Sequence, residues 1–251
     1  MTDIFGLGSA ALACLTAALY AYIGRVVSER PAEGNAQTAI RAFALWWFAL
    51  AVSTFIGGAR TFLVVMGVHD LVFHEALGFI AILPLVMSLW GLMSYLLFIY
   101  TGSLKPAWTL ALVYSVIYAY FVYLFVWLNP VDVRIGAGAS AVLVNTNTLD
   151  SAAVAFVVAV LVLPIVIGAI AYGSLYWKTQ EPIQRFRIAT ISLGILAWFL
   201  SPAFGSAAAL QNAAWWIIFT RIVAIAIPLT ILVALRPPPW LLRRLGAAQS
   251  A

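Results

Sequence analysis

Seven runs of apolar residues, at 4–25, 41–66, 75–100, 107–128, 151–177, 187–204 and 213–235, dominate this sequence, each bounded by charges or by Pro, Gly and Asn. Each is of the length that crosses a hydrocarbon core of about 30 Å as a helix of roughly 20 residues. Membrane-barrel strands would instead alternate apolar and polar residues over about 10 positions, and these runs do not alternate. Composition points the same way. With 65% hydrophobic and 8% charged residues in 251 and a mean hydropathy of +1.06, a water-soluble globule of this size would lack the polar surface it needs. The expected fold is therefore all-α, an integral membrane bundle of about seven transmembrane helices in the cell membrane, forming a single transmembrane domain over 1–251.

Basic residues orient the bundle. Ten of the thirteen, Arg25, Arg30, Arg41, Lys105, Lys178, Arg185, Arg187, Arg236, Arg243 and Arg244, fall on one set of loops, and the opposite set holds Arg134. The positive-inside rule assigns the arginine-rich loops and the C-terminus to the cytoplasm, and the N-terminus to the outside. Acidic residues are distributed in the complementary way. Asp3, Asp70, Glu75, Asp132 and Asp150 map outside, against Glu29, Glu33 and Glu181 inside. Trp108, Trp177 and Trp240 mark the inner headgroup level and Trp127, Trp215 and Trp216 the outer one. The stretch preceding the first run, Met1-Thr2-Asp3, is acidic rather than basic, so that run reads as a retained helix and not a secretory signal.

Several functional classes drop out. A pI near 9.6 comes from short loops without a dense basic face, which does not fit nucleic-acid binding. The segment from Arg236 to Arg244 reads as an interfacial stop attracted to anionic lipids. Cys14 is the single cysteine and offers neither a disulfide nor a metal cluster. No nucleophile elbow, phosphate loop or dense carboxylate set is present, so an enzyme is the weaker class. No soluble domain is expected either, because the longest loop is the extracytoplasmic one at 129–150. In it Val131, Val133 and Ile135 alternate with polar residues before Gly136-Ala-Gly-Ala-Ser140 and Ala141-Val-Leu-Val144, a β-hairpin pattern that reads as a lid or as a cap on helix ends.

The candidate site residues are few. Arg221 lies about eight residues, roughly 12 Å by helical rise, below the outer start of the last run, where an arginine costs at least about 2.5 kcal/mol unless it faces the interior with a partner. Arg60 sits near the outer end of the second run, and the outer acids within reach are Asp70, Glu75 and Asp150. Two readings stand: an ion-pair lock between helices, or an outward-opening anion or proton-linked site built from Arg221, Arg60, Glu75 and Asp70. Trp90 and Trp198 map near mid-membrane, as plain packing or as walls of a pocket. His69 and His74 lie five residues apart at a helix boundary, a poor spacing for two ligands on one helix face, and metal binding there is not expected. Tyr114, Tyr118, Phe121 and Phe125 form a one-face aromatic stripe on the fourth run, a surface for packing, for a flat apolar ligand, or for a partner subunit or second copy of the chain.

Leu7-Gly-Ser-Ala10 with Thr16 and Tyr20 in the first helix, Pro84 in the third and Trp198-Phe-Leu-Ser-Pro202 in the sixth resemble the microbial rhodopsin family, as do seven helices with short loops and an outside N-terminus. That family holds retinal on a lysine of its last helix. Here the lysines are Lys105 and Lys178, both in loops, Ile227 occupies the lysine position, and Gly78 and Ile82 stand where a carboxylate and a hydroxyl would be required. Covalent retinal and light-driven proton pumping are thus excluded. The resemblance implies a non-enzymatic sensor, ligand-binding protein or accessory subunit that takes, at most, a non-covalently held apolar ligand. A second reading is a small transporter or channel with a three-plus-one-plus-three helix repeat, since Ala21-Tyr22 recurs as Ala171-Tyr172 and the Pro84 segment as the Pro228 segment.

The topology is directly testable. With Cys14 removed, Asp132→Cys and Asn147→Cys are expected to react with an impermeant thiol reagent on intact cells, and Ser28→Cys and Gln180→Cys to stay unlabelled. The reverse pattern inverts the orientation.

Overall fold

Hydrocarbon offers backbone amides and carbonyls no hydrogen-bond partner, so a chain this apolar must satisfy them internally. The computed structural model describes residues 4–123, 132–135, 141–144, 162–210 and 214–245. Those residues form long helices: α1 (Ile4–Ser28), α2 (Gly34–Val65), α3 (Leu71–Thr101), α4 (Lys105–Tyr123), α5 (Leu163–Lys178), α6 (Pro182–Leu210) and α7 (Ala214–Leu235), then a short α8 (Pro239–Arg244). Among the described residues, six helices are long and apolar enough to cross a membrane. The described part of α5 has 16 residues, about 24 Å at 1.5 Å each. The remainder of its expected span, 151–161, lies outside the described residues, as do 124–128 of the fourth.

Several helices outrun their apolar stretches. α2 begins at Gly34 rather than at 41, and α6 at Pro182 rather than at 187. Intrahelical hydrogen bonds continue to be favourable in the headgroup layer after hydrophobicity has ended, so the charged first two turns of α6, with Arg185 and Arg187, are still helical. Local chemistry sets other ends. The Asp70 carboxylate accepts the Phe73 amide at 3.1 Å and caps α3. At the far end of α3, Gly102 adopts φ 67° and its amide donates to Phe98 O at 2.8 Å, the left-handed stop that glycine adopts without penalty.

The helices pack as a ring. α1 lies between α2 and α7, α2 packs on α3, α3 on α4 and α5, α5 on α6, and α6 on α7. Strands β1 (Asp132–Ile135) and β2 (Ala141–Val144) pair antiparallel, Asp132 opposite Val144 and Ile135 opposite Ala141, and this hairpin rests against α2 and α3. α4 is peripheral. Tyr114 and Phe121 of its aromatic stripe are buried, Phe121 meets Phe79 edge to face, and the Tyr118 hydroxyl donates to Phe79 O at 3.4 Å, so the stripe packs on α3. Phe125 lies outside the described residues.

Between lipid-embedded helices there is little hydrophobic drive to associate, and close van der Waals contact between small residues replaces it. Gly6, Ser9, Ala10, Ala13, Thr16 and Ala17 form the buried face of the N-terminal part of α1. A Cβ on Gly58 of α2 would lie 3.0 Å from Ala13 Cβ, and one on Gly8 3.4 Å from Ile218 Cδ1 of α7. The tightest crossing joins α2 and α3, where a Cβ on Gly91 would fall 2.5 Å from the Ala42 carbonyl oxygen and 3.1 Å from the Trp46 amide nitrogen. Backbone cannot step aside as a side-chain tip can. Gly91→Ala is therefore expected to lower stability by about 1–3 kcal/mol in reversible unfolding in detergent. Gly57→Ala, which meets nothing within 4 Å, is expected to be neutral or to stabilise by up to about 1 kcal/mol.

Candidate functional site

The small-residue face of α1 brings α7 close enough for Arg221 to reach it. Arg221 Nε donates to Ser9 Oγ at 3.2 Å, and Ser9 is fully buried. Tyr20, three turns further along α1 and also buried, lies within electrostatic reach of the same guanidinium. A guanidinium carries five N–H donors, and the described residues supply this one hydrogen bond. The ion pairs among the described residues are Arg25–Glu29 and Arg236–Glu29, so no described carboxylate pairs with Arg221.

Arg60 is in the same position on the other side of α1. Its Nε and Nη2 are buried and have no hydrogen-bond partner among the described residues. Gly58 abuts the Ala10 carbonyl, which sets Arg60 and Arg221 at about one level along α1, on its two neighbouring helices. The acids expected to join them are arranged differently. Asp70 caps α3, and Glu75, half-buried just past the first turn of α3, forms no ion pair with either arginine. His69 is exposed. His74 is fully buried, its Nε2 2.8 Å from Val68 O, so that it closes the α2–α3 turn. No cluster of His, Cys, Asp and Glu suited to a metal occurs among the described residues.

Below the arginines lies an aromatic layer. Tyr20 contacts Trp47 at a centroid distance of 5.7 Å, Trp47 meets Trp46 at 4.1 Å, and Trp46 meets Trp198 of α6 edge to face at 6.3 Å. Phe43 stacks on Tyr95 at 4.3 Å. The Nε1 atoms of Trp46 and Trp47, together with Ser94 Oγ and Tyr172 Oη, are buried without hydrogen-bond partners among the described residues. Trp90 has another role, donating Nε1 to Ala107 O at 2.8 Å and tying α3 to α4.

Sequence reasoning passed over Trp46 and Trp47 because an apolar run starting at 41 puts them near the inner interface. With α2 starting at Gly34 they lie about 18 Å along the helix. The signal was there as spacing: Phe43, Trp46, Trp47, Leu50 and Ala51 repeat at three and four, and all five are buried.

No known protein family matches the chain, and no curated protein or solved structure is similar to it.

Proposed function

We propose that this chain is a seven-helix protein of the cell membrane, with its N-terminus outside and its C-terminus in the cytoplasm. It acts as a non-enzymatic sensor or accessory subunit that binds a small organic carboxylate from the outer side, on a scaffold resembling that of the microbial rhodopsins. The observation that carries this reading is Arg221, an arginine inside an apolar helix whose described hydrogen bond goes to neutral Ser9 and not to a carboxylate. A guanidinium at that depth needs a counter-charge, and a planar carboxylate matches its donor fork.

Binding is favoured over transport by the filling of the bundle's middle: Trp46, Trp47, Leu50, Leu89, Leu92 and Met93 are at most 1% exposed. These described side chains are tightly enclosed, whereas a translocating protein lines its middle with a polar cavity.

A thermal-shift screen of carboxylates on wild type and Arg221→Leu tests the reading. A bound carboxylate at 100 times its dissociation constant is expected to stabilise wild type by about 2.7 kcal/mol and to leave the folded variant unchanged. Stabilisation that persists in Arg221→Leu clears the residue of binding. If no carboxylate stabilises wild type, and Arg221→Leu is more stable than Arg221→Ala, Arg221 is a structural lock, because an apolar side chain of similar bulk removes the burial penalty of the charge.

A further inference from the structure

At the opposite, arginine-rich end of the bundle three guanidinium groups come together from three separate elements. Arg30, in the α1–α2 turn, donates Nη2 to the carbonyl of Leu235 at 3.3 Å and so reaches across to the end of α7. Arg236, the next residue, donates Nη1 to the Tyr22 hydroxyl at 3.1 Å and sits over the Tyr22 ring. Arg187, in the second turn of α6, lies close enough to Arg30 for their charges to interact, as Arg236 also does. Like charges gathered at one place repel, so something has to balance them.

The protein does so only in part. Glu29 binds Arg25 at 2.8 Å with one carboxylate oxygen and stands 3.7 Å from Arg236 with the other. Among the described residues no carboxylate pairs with Arg30 or Arg187. Arg187 Nε is moreover buried without a hydrogen-bond partner among the described residues, and so is Tyr172 Oη. Tyr95 lies within electrostatic reach of Arg30, and Tyr172 within reach of Tyr95, which places Tyr95 beside the cluster and Tyr172 next to it. The positive-inside rule accounts for arginines in these loops. It does not account for a buried, unpartnered guanidinium nitrogen set beside a second guanidinium.

We infer that Arg30, Arg187 and Arg236, with Tyr95 and Tyr172, form a binding site for a phosphate group at the arginine-rich end of the bundle. A phosphate supplies three strongly accepting oxygens and a charge of about −1.5 to −2, enough to engage several guanidinium forks and a tyrosine hydroxyl together. Burial, and then the nearby Arg187, hold the Arg30 guanidinium below its usual pKa, the state that a bound anion relieves. The phosphate can be free inorganic phosphate or the diester of an anionic lipid headgroup, which carries two free oxygens and one negative charge; both offer accepting oxygens to the guanidinium forks. This inference is independent of Arg221, which lies at the other end of the bundle.

The test is the melting temperature of the full chain in nanodiscs. One arm uses phosphatidylcholine discs and exchanges chloride for inorganic phosphate at constant ionic strength. The other uses discs containing phosphatidylglycerol in phosphate-free buffer. A rise in the first arm assigns a free phosphate, and a rise in the second alone assigns a lipid headgroup. Arg187→Gln and Arg236→Gln are each expected to weaken the apparent affinity by roughly tenfold, while Arg41→Gln, on the same end but outside the cluster, and Arg221→Leu respond as wild type. Should Arg187→Gln fail to fold, Arg236→Gln decides alone, since its side chain is 57% exposed. No rise in either arm, or variants of the cluster that respond as wild type does, overturns the inference.

Discussion

The structure rests on the fact that hydrocarbon satisfies no polar group, so each one carried into the membrane must be answered by the protein. Backbone groups are answered by continuous helices, which is why α1, α2 and α3 run 25, 32 and 31 residues. Side chains are answered one at a time. Thr16 donates to Leu12 O, Thr61 to Gly57 O and Thr230 to Ala226 O, each one turn back on its own helix. Arg221 has to cross to α1 to find Ser9. That contact is available only because the buried face of α1 is small, and the same small face admits α2 on its other side. α1 is thus the seam of the ring.

The charges that the bundle does not neutralise collect at its two ends. Arg221 and Arg60 lie at one end and Arg30, Arg187 and Arg236 at the other, separated by the packed tryptophans. α1 touches both groups, through Ser9 at one end and through Tyr22 and the Arg30 turn at the other. A single rigid element in contact with both is the simplest mechanical link that the architecture contains. The aromatic layer between them keeps the middle of the bundle apolar, and there the indole nitrogens of Trp46 and Trp47 are tolerated without partners.

The sequence made the spans legible because hydropathy and the bilayer's thickness impose the same length, and it exposed Arg221 because one charge stands out in an apolar run. Arg221's partner was not legible. Ser9 is an ordinary small residue of a small-residue helix, and only the approach of α7 to α1, fixed by contacts such as Gly8 against Ile218, singles it out. Asp70 illustrates the reverse difficulty, since an acid near a helix start reads equally as a site charge or as a cap, and its bond to the Phe73 amide makes it a cap. For His74 only the spacing is legible; its full burial and its contact with Val68 O depend on the turn geometry. The arginine cluster is not legible for another reason. Arg30, Arg187 and Arg236 are far apart in the chain and each is explained by topology alone, so their convergence shows only once α6 and α7 are packed beside α1.

Closure of the ring by α1 against α7 is the claim on which both proposed sites depend, and cross-linking tests it most directly. In the Cys14-free chain, Gly8→Cys and Ile218→Cys place thiols where a Gly8 Cβ would be 3.4 Å from Ile218 Cδ1. A short bifunctional thiol reagent applied to membranes, followed by a cut at a protease site inserted within 129–150, is expected to leave the two halves joined as one band of monomer mass. Halves that separate after the cut, or that join only between copies of the chain, would contradict the closed ring.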